Sequence, residues 1–146
     1  MQFKLTIALV SMALMVGSAF AADPAPQVDV YKSATCGCCA RWADHMRASG
    51  FDVRTHDVPD VAAERHRLGM VDALAGCHTA VVNGYVIEGH VPAADVKRLL
   101  AERPKAVGLA VPNMPGGSPG MENVAAVPYE VLLLNANGSV RSFARH

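Results

Sequence analysis

Three of the four cysteines in the chain fall within four consecutive positions, Cys36-Gly37-Cys38-Cys39. They follow a short alternating segment, Val28-Asp29-Val30-Tyr31-Lys32, and precede an amphipathic helical pattern. Cysteines at such a strand-to-helix junction lie where unpaired N–H groups and the helix dipole lower thiol pKa values. Thiolate is the form that attacks disulfides and the form that binds soft metal ions. The pattern therefore points to redox or metal chemistry. It argues against a purely structural pair of disulfides, because bridges starting from one turn would staple little chain.

The chain opens Met1-Gln2-Phe3-Lys4, runs apolar from Leu5 to Val16, and continues Gly17-Ser18-Ala19-Phe20-Ala21. A positive start, a short apolar stretch and an Ala-x-Ala ending read as a secretory signal peptide over residues 1–21, cleaved after Ala21. The apolar run is too short to span a bilayer as a helix. Export would place the mature chain in an oxidising compartment. Cleavage removes Lys4 and no acid, leaving twelve basic residues against thirteen acidic ones. No basic patch argues for nucleic acid and no polybasic tail for a membrane surface, so neither is an expected partner of the mature chain. Residues 22–27, with Pro24 and Pro26, read as a linker, and residues 28–146 as one domain with a core at 28–103 and an extension at 104–146.

Val28 to Lys32 reads as a first strand. Cys39, Trp42, Ala43 and Met46 fall at helical spacing, predicting a helix from Cys39 to Ser49 closed by Gly50. Phe51 to Val58 alternates again as a strand, and Val61 to Leu68 reads as a helix stopped by Gly69. Thr79 to Val82 and Tyr85 to His90 flank Asn83-Gly84, a strong hairpin signal. Pro92 opens a last helix, Ala93 to Glu102. The order β-α-β-α-β-β-α is that of thioredoxin and glutaredoxin: an α/β fold, a mixed sheet flanked by helices. Val111 to Glu122 is a Gly/Pro-rich loop without regular structure, expected to fold towards the cysteines. Tyr129–Leu134 and Ser139–Phe143 read as a C-terminal β-hairpin that packs on the domain.

Cys36 and Cys39 form a C-x-x-C spacing, and Cys36 and Cys38 a C-x-C spacing. A dithiol oxidoreductase needs one attacking and one resolving cysteine, and a third thiol invites wrong pairing. A soft-metal site uses every thiolate available. In glutaredoxin-like chains a proline faces the redox pair from the start of the third strand. Matching the strand-plus-Asn-Gly ending at Val82-Asn83-Gly84 puts His78 at that proline's place and Cys77 just before it. Cys77 would then face the other three sulfurs, and His78 is a further candidate ligand. Met114 and Met121 add two thioethers in the loop. Thiolate with thioether selects Cu(I), whereas zinc accepts thiolates and has little use for methionine. Methionine's ordinary role is to fill core gaps. His45, His56, His66, His90 and His146 read as surface or supporting residues with no assigned role, and Trp42 as core or a shield over the site.

Tyr31-Lys32, Cys36-Gly37-Cys38-Cys39 followed by Trp42, Cys77-His78-Thr79-Ala80, Val86-Ile87-Glu88-Gly89-His90-Val91-Pro92-Ala93, and Met114-Pro115 through Gly117-Ser118-Pro119-Gly120-Met121-Glu122 resemble, in order, the CopG-type periplasmic proteins of copper-resistance operons. The resemblance implies a thioredoxin-like fold, a periplasmic location and a cysteine-rich copper site of one or more ions, with redox cycling of copper as a proposed role. It puts Cys36, Cys38, Cys39 and Cys77 first among the ligands. Partners expected on this basis are the metal ion and other periplasmic copper-resistance or efflux proteins. The competing expectation is a thiol-disulfide oxidoreductase with Cys36 as nucleophile and Cys39 as resolver.

Overall fold

Alternating strand and helix signals build a mixed α/β fold, which a computed structural model describes over residues 24–146. The expected signal peptide lies outside these residues. Seven strands form one mixed sheet: β1 (Gln27–Lys32), β2 (Asp52–Asp57), β3 (His78–Val82), β4 (Tyr85–Gly89), β5 (Ala106–Val111), β6 (Glu130–Asn135) and β7 (Val140–Arg145), in the order β2-β1-β3-β4-β5-β6-β7. The β1/β2 and β4/β5 pairs are parallel and the others antiparallel. The helices are α1 (Gly37–Ala48), α2 (Val61–Arg67) and α3 (Ala93–Glu102), with a 3-10 turn at Asp72–Leu74. None of the described helices is long and apolar enough to cross a membrane.

The sheet divides two apolar clusters. On one face Trp42 and Met46 of α1 and Leu99 of α3 pack with Val30, Ile87 and Leu133 of the sheet. On the other, Met70 and Leu74 pack with Val86, Ala110 and Leu134. Adjacent residues of one strand serve opposite clusters, as in Val86 and Ile87, because successive strand side chains alternate in direction.

Two findings depart from the sequence-based expectation. Helix α1 begins at Gly37 rather than Cys39, because Cys36 is its N-cap: its sulfur accepts the Cys39 N–H at 3.3 Å. Strand β5 was not expected. Ala106-Val107-Gly108-Leu109-Ala110-Val111 shows no polar alternation, since it lies inside the sheet between β4 and β6, with its last four residues buried. The expected C-terminal hairpin is β6–β7, shifted by about one residue. The segment 112–129, which includes the Gly/Pro-rich stretch, contains no helix or strand. It reaches back to α1, where Arg41 Nε donates to the Gly120 carbonyl at 2.9 Å.

Candidate metal centre

The end of β1, the start of α1, the start of β3 and the end of β4 converge on one corner. Cys36, Cys38 and Cys39 come from the first turn of α1 and its cap, and Cys77 from the residue before β3. Their sulfurs are contiguous: Cys36 to Cys38 3.5 Å, Cys38 to Cys77 3.8 Å and Cys39 to Cys77 3.3 Å. Cys36 and Cys39 are joined by a disulfide, and Cys38 and Cys77 carry free thiols. Cys39 is buried and the other three are half-buried, so the cluster has one wall in the core and one towards solvent.

His78 lies beside them. Its Nδ1 lies 3.5 Å from the Cys77 sulfur and its ring 4.3 Å from that of Trp42, centroid to centroid. Trp42 is itself fixed by donating Nε1–H to the Val91 carbonyl at 2.9 Å. His90 was assigned no role from sequence, and here the structure corrects the reading: it is fully buried, with Nε2 only 2.9 Å from the Cys77 sulfur. The signal was available in the hairpin. Asn83 and Gly84 both have positive φ, as a two-residue I′ turn requires, and this sets Val82 opposite Tyr85 and Thr79 opposite Glu88. Continuing that count places Cys77 across from His90.

The donor atoms form two groups that share Cys77. One is Cys36, Cys38, Cys39 and Cys77; the other is Cys77, His78 and His90; within each, all donor atoms lie within 4.8 Å of one another. Burial pushes the Cys77 thiol up, reinforced by the neighbouring Cys38 and by Glu88. Burial drives His78 down to about 3, with His90 adding to the effect. Burial likewise drives His90 down to about 4, against the attraction of Glu122. Both imidazoles are therefore neutral near pH 7 and able to offer lone pairs. His78 Nε2 and His90 Nδ1 have no hydrogen-bond partner among the described residues. Soft sulfurs and neutral, under-satisfied imidazoles are a donor set suited to a soft metal ion.

Met114 is exposed and has a positive φ, while Met121 is half-buried. The loop's hydrogen bond to α1 runs through Gly120 rather than either thioether. Of the remaining histidines, His45 accepts the Ala93 N–H at the start of α3, and His56, His66 and His146 pair with Asp29, Asp72 and Asp95.

A mixed seven-stranded α/β fold with a cysteine and histidine cluster at one corner defines a protein built around a candidate metal site. Residues 74–121 match the family model described as "Protein of unknown function, DUF411". Two solved structures, forms 2 and 1 of copper resistance protein CopG, are each 43% identical with a TM-score of 0.79. They cover 84% and 85% of this chain, which in turn covers 98% of each. No curated protein matches. The chain belongs to the family of copper resistance protein CopG.

Proposed function

We propose that this chain is a periplasmic copper-binding protein of copper resistance, holding Cu(I) as one or more ions with thiolates of Cys36, Cys38, Cys39 and Cys77. The observation that carries the reading is the pair of donor groups meeting at Cys77. Four sulfurs in mutual contact favour a soft monovalent ion, and the sharing of Cys77 favours a multinuclear cluster. His78 and His90 complete the donor set from the buried side. The resemblance to copper resistance protein CopG supports copper over zinc. The order of strands and helices up to α3 supports a thioredoxin-like core, and the N-terminal sequence supports export. The loop carrying Met114 and Met121 acts as a lid, and the ion is stored, passed to periplasmic resistance or efflux partners, or cycled between oxidation states.

All four thiolates become available only when the Cys36–Cys39 disulfide takes up two electrons. That disulfide also supports a second reading, a thiol-disulfide oxidoreductase using Cys36 and Cys39. One experiment separates them: metal analysis of protein exported to the periplasm and purified without reductant, with free thiols counted on the same sample. Copper at or above about one per chain, with cysteines protected from reagent, is the expected result. Cys36→Ser should lose most of that copper, and unchanged stoichiometry would refute the cluster. Metal-free protein that reduces a model disulfide at glutaredoxin-like rates would favour the enzyme.

A further inference from the structure

Glu88 sits on β4 with its side chain wholly out of solvent, two residues before His90. A buried carboxylate is costly unless it is paired and hydrogen-bonded. Its partner is Arg65 of α2, itself buried, whose Nε donates to Glu88 Oε1 at 2.8 Å. The same oxygen accepts the Gly76 N–H at 2.7 Å, and Arg65 Nη2 donates to the Gly76 carbonyl at 3.0 Å. Arg65 Nη1 also approaches Asp72 Oδ1 at 3.5 Å, tying the pair to the 3-10 turn. Both polar backbone groups of Gly76, the residue before Cys77, are thus held by one ion pair. Gly76 lies so close to β4 that a Cβ on it would fall 2.5 Å from the Gly89 Cα.

The hydrogen bonds that satisfy the buried pair all go to one residue, Gly76, at the point where the chain enters β3. The strand entry at Gly76-Cys77 lies just outside the β3/β4 ladder, whose last pair is Thr79 with Glu88. The clamp supplies the missing tether there. We infer that Arg65 and Glu88 form a positioning clamp that holds the Gly76–Cys77 backbone against Gly89–His90, and so sets the Cys77 sulfur beside His90 and the α1 cysteines. The consequence for metal affinity rests on the function proposed above; the consequence for Cys77 itself does not.

The test uses the mature chain with Arg65→Met and Glu88→Leu together. Exchanging both members of a buried ion pair for apolar residues is often neutral for stability, whereas removing one leaves a buried charge. Two quantities are read. One is the alkylation rate of Cys77 by iodoacetamide in metal-free protein carrying the Cys36–Cys39 disulfide, followed on the Cys77 peptide by mass spectrometry. The other is Cu(I) affinity of the reduced chain against a chromophoric chelator. The expected result is a cooperative urea transition with a midpoint lowered only by the two lost hydrogen bonds to Gly76, severalfold faster Cys77 alkylation, and Cu(I) affinity lower by about tenfold or more, the usual scale for groups that orient ligands. A folded double variant with wild-type alkylation overturns the clamp.

Should the double variant not fold, Glu88→Asp decides. The shorter carboxylate keeps the charge that faces Arg65 and Cys77 but withdraws its oxygen from Gly76, so it should release Cys77 and speed its alkylation severalfold. A wild-type rate in this variant overturns the clamp. If the wild-type chain binds no Cu(I), the metal reading fails while the alkylation comparison still decides the clamp.

Discussion

Substituting Gly120 by alanine measures how firmly the C-terminal loop presses on the cysteine-bearing end of α1. Gly120 has φ +91°, and a Cβ there would lie 2.6 Å from the Cys38 carbonyl oxygen and 3.1 Å from the Trp42 nitrogen. Both are backbone atoms of α1, which cannot swing aside as a side-chain tip can. Gly50 offers an internal control, since it has the same φ of +91° and nothing within 4 Å of its absent Cβ. Alanine at positive φ costs roughly 1–2 kcal/mol, offset by about 0.4–1 kcal/mol from the restricted unfolded chain. Gly50→Ala should therefore destabilise by about 1 kcal/mol. Gly120→Ala carries the same strain plus an overlap whose relief typically costs about 1–3 kcal/mol. The difference between the variants isolates that contact. Urea unfolding of metal-free protein, followed by Trp42 fluorescence and extrapolated linearly, gives both values. Two variants equal within about 0.5 kcal/mol would mean that the loop does not bear on α1 in solution.

Replacing His90 with alanine should lower Cu(I) affinity in a chelator competition, since Nε2 lies 2.9 Å from the Cys77 sulfur; unchanged affinity would remove His90 from the site. Trp42 is the sole tryptophan and its ring lies 4.3 Å from that of His78, so saturating the reduced chain with Cu(I) should alter its emission. Constant emission at saturation would count against His78 as a ligand. His45 must be neutral to accept the Ala93 N–H, and burial holds its pKa below the ordinary value against the pull of Glu122. A depressed imidazole contributes stability above its unfolded pKa of about 6.5 that is lost as pH falls below it. His45→Gln keeps an acceptor without titrating, so its Tm should drop less than that of the wild type between about pH 7 and pH 5. Parallel profiles would show that His45 does not contribute to acid sensitivity.

Strands β1 to β4 and all three helices were legible because each carries its own period and punctuation. Gly50 and Gly69 stop two helices, and Asn83-Gly84 marks the hairpin. Strand β5 was not legible because a strand buried within a sheet loses the alternation that identifies strands, and Gly108 interrupts its apolar run. Gly108 has its own cause: a Cβ there would collide with the Val86 backbone of the neighbouring strand. At the site, Cys77 and His78 could be located by following the sheet, and the four cysteines do converge. His90 was passed over because a lone histidine after a strand has no local signature; only the strand register shows what it faces. Arg65 was still less visible, since an arginine among His66, Arg67 and Glu64 reads as part of a solvated helix face. Its burial becomes apparent only with the carboxylate it meets.

The two-residue connection between β3 and β4 carries a restriction of a different kind. Asn83 and Gly84 are exposed and lie at the opposite end of the hairpin from Cys77. Exposed tips of this sort are ordinarily where proteins accept insertions and deletions most freely. Here the tip works as a ruler. Any change in its length must be absorbed locally by a bulge or passed down β4 as a slip of about 3.3 Å per residue, which also exchanges the faces of the strand. After a one-residue slip Cys77 would meet Gly89 or Val91 in place of His90. The turn can thus vary in side chain, within the limits of its positive φ values, more freely than in length, and a length change that no bulge takes up would part Cys77 from His90 while leaving both residues in the sequence.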